Sequence, residues 1–219
     1  MPRLLFEKTG NAIWISHLDL MRLFQRAFKR AGLPLTHSGG FTPRPQVSIA
    51  LPLSVGVESQ CELLDFDLDG ATTSAEEILE GLNRSLVEGV KVLQVYEEAR
   101  KIKHLAFLEC HVDLEYDSGI PAGGLEQITA LFARPELTVE KKSKNGPTEQ
   151  DIIPMIRSLE VLPVSDQELR LHAVVCCQNP TLNPMQLHGA IQRHLPELNP
   201  DFAKCQRLEV YDNDGNIFR

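Results

Sequence analysis

The stretch HSGGFTPRPQVSIALPL, at positions 37–53, sets one aromatic ring and one arginine among glycines and prolines. The glycine pair permits positive φ and close approach of another molecule to the backbone, while Pro43 and Pro45 fix φ on either side of Arg44. A stiff loop that presents an aromatic and an arginine suits base stacking and phosphate contact. A crossover loop with Phe41 packed in the core is an equally good interpretation. The candidate binding residues of this loop are His37, Gly39, Gly40, Phe41 and Arg44.

A helix is predicted immediately before this loop, in SHLDLMRLFQRAFKRAG at positions 16–32. Ser16 is a good N-cap, and Asp19 three residues later makes a shortened capping box. Basic side chains recur at spacings that stack them on one face of the helix. A solvated face is the ordinary explanation, but the interleaved glutamates of such a face are missing here. The candidate binding residues of this helix are His17, Arg22, Arg26, Lys29 and Arg30.

The apolar residues of the same helix also recur at helical spacing, and Phe24 and Phe28 are the largest of them. Because the two sets of positions lie on opposite sides, we expect both rings to be buried behind exposed arginines. If the loop is a recognition element, His37 and Arg44 should border a concave surface shared with the helix. Phe41 should then be at least partly accessible.

Charge is distributed unevenly along the 219 residues, whose net charge is −8. Residues 1–50 contain seven basic and two acidic side chains, a balance of +5, so the remainder carries −13. An anionic partner would therefore meet the N-terminal part. The acidic pI of about 5.4 argues against a general nucleic-acid coat protein. Five acids cluster around a later strand, with Glu62 expected opposite the other four, and the simplest expectation is a solvent face of alternating strand residues. They are Glu58, Glu62, Asp65, Asp67 and Asp69.

No familiar catalytic or metal-binding motif is present in the sequence. His17 and Asp19 are two residues apart on a helix and so point to different sides. The five cysteines include neither a C-x-x-C pair nor a cysteine–histidine pair at zinc-finger spacing, and no three-cysteine iron–sulfur cluster. Phosphate-binding loops, dinucleotide fingerprints and nucleophile elbows are also absent. We therefore predict no catalytic residue, no metal and no cofactor for this chain.

The sequence predicts a cytoplasmic protein without a membrane partner. No stretch approaches the roughly 18 apolar residues of a membrane span. The N-terminus interrupts its apolar runs with charges, unlike a signal peptide. Adjacent Cys176 and Cys177 lie in an apolar run and fit a reducing compartment.

The elements that must position the candidate residues follow the order β-α-β-β-α-β over residues 3–98. RLLFEKTGNAIWI is predicted as a strand or tight hairpin, QVSIALPL and CELLDFDLD as strands, SAEEILEGLNRSL as a helix and GVKVLQVYEE as a strand. The second half repeats this order more loosely, with one or two strands around a polar loop at 141–146. This pattern is typical of an α+β fold with antiparallel sheets and helices on one face. We predict tandem ferredoxin-like (βαββαβ) halves, residues 1–98 and 104–219.

Four N-terminal motifs resemble the family described as radical-SAM-linked or radical-SAM-associated proteins. They are an F-x-K-x-G opening, an I-S-H-L-D-L helix start, an S-x-G-F-x-P-x-P loop and a P-L-x-x-G-x-x-S-x-x-E-x-x-D segment. The matching residues are Phe6, Lys8 and Gly10; Ile15 to Leu20; Ser38, Gly40, Phe41, Pro43 and Pro45; and Pro52, Leu53, Gly56, Ser59, Glu62 and Asp65. A looser likeness extends to QDIIPMIRSLEV and NPTLNP in the second half. Thr42 and Arg44 stand where relatives are expected to carry Asn and a basic residue or His.

The resemblance implies a stand-alone or fused partner of a cobalamin-type radical SAM enzyme, often encoded beside RNA-processing and ribosomal genes. It implies no established activity for the chain itself. The leading hypothesis is a non-catalytic module that presents tRNA or ribosomal RNA to that enzyme through the basic N-terminal surface. One alternative is a protein–protein adaptor that docks the enzyme without RNA contact. A second is an RNA-processing or modifying enzyme that uses His17, His37, Glu62 and Asp65.

Overall fold

The computed structural model describes residues 1–70, 73–143 and 146–219, which divide into two units. The first unit comprises Met1–His104 together with Ile217–Arg219, and the second comprises Leu105–Asn216. No sequence pattern indicated that the last three residues would pack with the first unit. Both units combine helices with antiparallel strands, so the predicted α+β class is confirmed.

In its described residues, the first unit contains two α-helices and four strands in the predicted order. They are β1 (Arg3–Lys8), α1 (His17–Arg30), β2 (Val47–Ile49), β3 (Val57–Phe66), α2 (Ala75–Ser85) and β4 (Val90–Tyr96). The strands lie side by side in the order β4-β1-β3-β2, and each neighbouring pair is antiparallel. The first and third strands in sequence are therefore the two central ones.

Aromatic packing joins α1 to this sheet. Phe24 contacts Phe6 of β1 edge to face, with ring centroids 4.7 Å apart, and Phe28 lies 5.1 Å from Phe66 of β3. All four rings are fully buried. Such pairs add directional attraction to the free energy gained by removing the rings from water. The sheet thus sets the angle of α1 and leaves its basic face outward.

Residues Gly10–Trp14 form a 3₁₀ helix rather than the predicted continuation of a strand or hairpin. β1 ends at Lys8, and the Thr9 amide donates to the Gly89 carbonyl over 2.7 Å. A Cβ on Gly89 would lie 2.4 Å from the Thr9 oxygen, so only glycine permits this approach. A long-range contact therefore ends the strand, although the local sequence favours its continuation.

The described residues of the second unit form two α-helices, four strands that pair side by side and one hairpin. Its elements are β5 (Leu105–Glu115), α3 (Gly124–Phe132), β6 (Thr138–Ser143), β7 (Gly146–Asp151), β8 (Ile156–Ser165), β9 (Glu168–Cys176), α4 (Met185–His194) and β10 (Phe202–Asp212). The sheet order is β10-β5-β9-β8, and neighbours are antiparallel. β6 and β7 pair with each other, so three strands stand where one or two were predicted. Lys144 and Asn145 of the predicted polar loop lie outside the described residues.

The acids around β3 do not form the uniform solvent face predicted for them. Glu62 is only 2% exposed and accepts a 2.8 Å hydrogen bond from the Ser59 hydroxyl. Asp65 pairs with Arg3 of β1, Nε to Oδ1 over 2.6 Å and Nη2 to Oδ2 over 3.0 Å. The solvent face expected from strand alternation is therefore incomplete, because Asp65 is partly shielded by its pairing with Arg3 of β1. The buried Glu62 has a polar partner, Ser59, on β3 itself.

Candidate functional site

Helix α1 presents its arginines to solvent, as predicted. Arg22, Arg26 and Arg30 are exposed, while Phe24 and Phe28 are buried behind them. The Ser16 hydroxyl accepts a 3.2 Å hydrogen bond from the Asp19 amide, which confirms the predicted N-cap. The helix thus begins where its sequence predicts, and the burial of Phe24 and Phe28 orients its basic face toward solvent.

Most of this positive charge is not neutralised within the chain. Arg22 pairs with Asp19 over 3.0 Å on the surface, and Arg30 donates to the Ser85 carbonyl over 3.4 Å. Hydrogen bonds from Ser16 and then Arg22 lower the pKa of Asp19. Within the described ranges, neither Arg26 nor Lys29 has an ion-pair partner. The cations of the C-terminal half of α1 are therefore available to an anion.

The loop at residues 37–45, named the Gly/Pro loop, is closed at its base by hydrogen bonds between Ser38 and Arg44. The Ser38 amide donates to the Arg44 carbonyl over 2.9 Å, and the Arg44 amide donates to the Ser38 hydroxyl over 3.0 Å. Thr36 ties the base to the first unit, because its amide donates to the Asp67 carbonyl and its hydroxyl to the Asp67 carboxylate, both over 2.9 Å. The base of the loop is therefore fixed by hydrogen bonds, and its tip projects from the first unit.

Phe41 lies at the tip of this projection and is fully exposed. Gly40, immediately before it, has φ of +107°, which a residue with a side chain rarely adopts. Packing of Phe41 in the core, the other interpretation open from sequence, is thus wrong. Because the Phe41 ring stays in water, it contributes no burial free energy to the stability of the fold.

A cavity of about 680 Å³ lies between α1 and the chain that leads into the loop. His37 borders this cavity together with Arg26 and Lys29, so the predicted concave surface shared with the helix is present. Arg44 is exposed but is not among its lining residues, so the prediction that Arg44 also borders this surface is wrong. His17 and Arg22 lie toward the other end of α1, which spans roughly 20 Å.

The four residues proposed for an enzymatic site do not form one cluster. Glu62 and Asp65 are held by Ser59 and Arg3, while His37 stands in the loop. His17 is the first residue of α1, and its Nδ1 is buried with no hydrogen-bond partner in the described part of the chain. Among residues 1–70, 73–143 and 146–219, no three His, Cys, Asp or Glu side chains are grouped closely enough to hold a metal ion.

A family model described as an uncharacterized protein conserved in bacteria, DUF2344, matches residues 2–184. The chain belongs to the DUF2344 family. The match includes the whole of α1 and the Gly/Pro loop. No curated protein matches the chain. In this DUF2344 protein no helix of the described part is both long and apolar enough to cross a membrane.

One solved structure resembles the fold of this DUF2344 protein at low sequence identity. A chain of the "Crystal Structure of a Cbf5-Nop10-Gar1 Complex" matches with a TM-score of 0.53 and 10% identity, over 95% of this chain and 48% of that one. A chain of the archaeal box H/ACA sRNP Nop10-Cbf5 complex matches with a TM-score of 0.43 and 11% identity, over 94% and 46%. The chain spans about half the length of these solved chains.

A second polar cluster, on the sheet of the second unit, was missed by the sequence reasoning. Glu109 of β5 lies 2.7 Å from His172 Nε2 of β9 and accepts a hydrogen bond from the Tyr211 hydroxyl of β10. The rings of His172 and His111 meet at 84° with centroids 5.0 Å apart. The run LECHVDLE at 108–115 carries the signal, because alternation puts its polar residues on one face.

The hydrogen bonds of this cluster favour the ionised form of Glu109. Partial burial by itself would raise the pKa of Glu109, but the hydrogen bonds from Tyr211 and His172 outweigh it, so the pKa lies below its ordinary value of 4.5. Burial and the nearby Arg170 guanidinium lower the pKa of His111. The cluster is therefore a network built around one carboxylate on three strands.

Replacing Glu109 with Gln should remove stability that depends on pH. Because the pKa of Glu109 is depressed in the folded protein, its contribution is present above about pH 4.5 and is lost as pH falls further. We expect Glu109→Gln to lower the free energy of unfolding by roughly 1–2 kcal/mol at pH 7. The difference from the unmodified protein should narrow below pH 4.5. Urea unfolding at several pH values measures the free energy of unfolding, and the control is Glu197→Gln at an exposed position. If the loss caused by Glu109→Gln does not depend on pH, the stabilising role of ionised Glu109 is contradicted.

Proposed function

We propose that this DUF2344 protein is a non-catalytic, cytoplasmic module that presents RNA to a radical SAM partner enzyme. The RNA, tRNA or ribosomal, binds the face formed by α1 and the Gly/Pro loop. The partner, of the cobalamin type, is suggested by the likeness of the N-terminal motifs to radical-SAM-linked proteins.

One observation carries the RNA proposal: unpaired cations and a fully exposed aromatic lie on consecutive segments. Arg26 and Lys29 face outward without ion-pair partners in the described part of the chain, and Phe41 and Arg44 are exposed on the loop that follows. Cations bind the phosphate backbone, and an exposed ring stacks on bases of any sequence. Residues 1–50 carry a net charge of +5 and the remainder −13, so positive charge is concentrated in the part of the chain that holds this surface.

The architecture also supports a finer proposal, that the halves 1–98 and 104–219 are tandem ferredoxin-like domains. In the first unit the fourth strand lies beside the first, then the third, then the second. The second unit has the same arrangement when β5, β8, β9 and β10 are counted in turn and the β6–β7 hairpin is treated as an insertion. Antiparallel sheets of this order are expected of split βαβ units.

Binding of single-stranded RNA at increasing salt concentration tests the proposed function. Contact with three or four phosphates should make log K fall linearly with log salt, with a slope of roughly −0.7 per phosphate. Fluorescence anisotropy of a labelled oligonucleotide gives this slope directly. Absence of RNA binding at low salt would overturn the proposal.

Replacing Arg26 with Ala should weaken RNA binding and reduce the steepness of that slope by about 0.7, since one phosphate contact is lost. The matched control is Arg84→Ala, because Arg84 is an equally exposed helical arginine that instead pairs with Glu80 over 3.8 Å on α2. We expect the control to bind RNA like the unmodified protein. Equal losses in the two variants would indicate nonspecific charge attraction and contradict a defined site.

A protein–protein adaptor is the second candidate function, favoured by exposed apolar side chains near the start of α1. Trp14, Leu18 and Val55 are all more than half exposed, and Trp14 lies over Gly56, next to Val55. Exposed tryptophans are frequent anchors of protein interfaces. Partner binding that persists in Arg26→Ala but is lost in Trp14→Ala would favour this function over RNA presentation.

A further inference from the structure

The cavity beside α1 has the size and construction of a ligand site. Its volume of about 680 Å³ falls within the roughly 300–1,000 Å³ typical of small-molecule pockets. One wall is the C-terminal half of α1, and the other is the chain at 32–37 with Pro45 of the loop. The wall opposite α1 is held by backbone hydrogen bonds, since the Leu33 amide donates to Phe28 over 3.0 Å and the Asp69 amide to Pro34 over 2.8 Å.

The lining separates into an apolar interior and a cationic rim. Phe28, Leu33 and Leu35 are buried residues that form the interior, and the exposed Arg26 and Lys29 stand at the rim. No lining residue carries a carboxylate. The nearby Asp67 carboxylate accepts a hydrogen bond from Thr36. A ligand suited to this surface is therefore flat and apolar in one part and anionic in the other.

We propose that this cavity receives one unstacked nucleobase of the bound RNA, with the neighbouring phosphates on Arg26 and Lys29. The inference rests on the proposed function and names the form of RNA that the site takes. A base inserted beside Leu33 and Leu35 leaves its sugar and phosphates at the rim, where the cations lie. Because bases in a duplex are stacked and paired, the site selects single-stranded segments, loops or bulges.

The alternatives for an anion-binding groove fit less well. Inorganic phosphate or a sugar phosphate would use the cationic rim and make no use of the apolar part of the lining. A duplex could contact the cations of α1 but could not reach the cavity with a base. The exposed Phe41 ring, on the same loop as His37, offers a separate stacking surface for another base of the strand.

Titration with a mononucleotide tests the cavity separately from the RNA surface. Uridine 5′-monophosphate should shift the backbone amide resonances of Gly32, Leu33 and Leu35 in a saturable manner, whereas ribose 5-phosphate should not. Equal shifts with ribose 5-phosphate would show that the site recognises the phosphate and not the base, and would overturn the inference. No saturable shift with the mononucleotide would also overturn it.

A variant that fills the cavity provides the second test. Gln25 lines the cavity from α1, so Gln25→Trp should block it and weaken binding of single-stranded RNA about five- to 150-fold, the range that stacking of one base spans. The control is Gln127→Trp, the same change at an exposed position of α3 outside the cavity. A matched duplex should bind both variants equally.

The outcomes separate this inference from the proposed function. If the unmodified protein and Gln25→Trp bind single-stranded RNA equally well, the proposal that the cavity binds a base is wrong, whereas the proposal of RNA binding is supported. If the unmodified protein binds no RNA, the proposed function fails, and the mononucleotide titration then decides the cavity alone. Circular dichroism and thermal unfolding of both tryptophan variants confirm that each is folded.

Discussion

Phe24→Ala should lower the free energy of unfolding by about 3–5 kcal/mol, the cost of truncating a buried aromatic. Phe24 is fully buried and meets Phe6 with ring centroids 4.7 Å apart, so its removal leaves a cavity between α1 and β1. Phe41→Ala should change the free energy of unfolding by no more than about 0.5 kcal/mol, because its ring contributes no buried area. Urea denaturation followed by circular dichroism measures both.

Two variants of the loop, Phe41→Ala and Arg44→Ala, should separate folding from binding. We expect Phe41→Ala to weaken RNA binding by about 1–3 kcal/mol through the loss of one stacked base. Arg44→Ala should cost about 1–3 kcal/mol of binding through the loss of a charge-assisted contact, with the midpoint of thermal unfolding nearly unchanged. If Phe41→Ala instead destabilises the fold and Arg44→Ala leaves binding intact, the loop serves the scaffold and not recognition.

The Arg3–Asp65 pair should produce the other large effect. Arg3 is only 1% exposed, donates two hydrogen bonds to Asp65, and its guanidinium lies 5.2 Å from the centre of the Phe218 ring. Asp65→Ala removes the anion and leaves a buried cation, so we expect a loss of about 3–5 kcal/mol in the free energy of unfolding. Denaturant unfolding at neutral pH gives the value.

The double variant Arg3→Met/Asp65→Leu tests whether the cost arises from an isolated charge. Replacing both partners by apolar residues removes the buried cation, so much of the loss should be recovered. Glu80→Ala, which breaks the exposed pair with Arg84, should cost less than about 1 kcal/mol. A double variant no more stable than Asp65→Ala would show that the pair also fixes the strand geometry.

Local chemistry made α1 predictable in detail. Ser16 caps the helix through the Asp19 amide, Phe24 and Phe28 mark its buried side, and the arginines mark its exposed side. Each of these features depends on residues at most a few positions apart, where the 3.6-residue period of the helix relates sequence to direction. The exposure of the loop was not predictable in this way, because the sequence around Phe41 is equally compatible with a buried ring and with an exposed one.

Contacts between distant residues were decided only by the tertiary structure. The Thr9–Gly89 approach turned an expected strand continuation into a 3₁₀ helix, and Asp65 meets the buried Arg3 across 62 positions. Glu109 meets His172 and Tyr211 across 63 and 102 positions. Alternation along a strand identifies which residues share a face, but strand order and register select their neighbours. For this reason the sequence by itself determined the basic helix and the stiff loop, whereas folding placed the cavity between them.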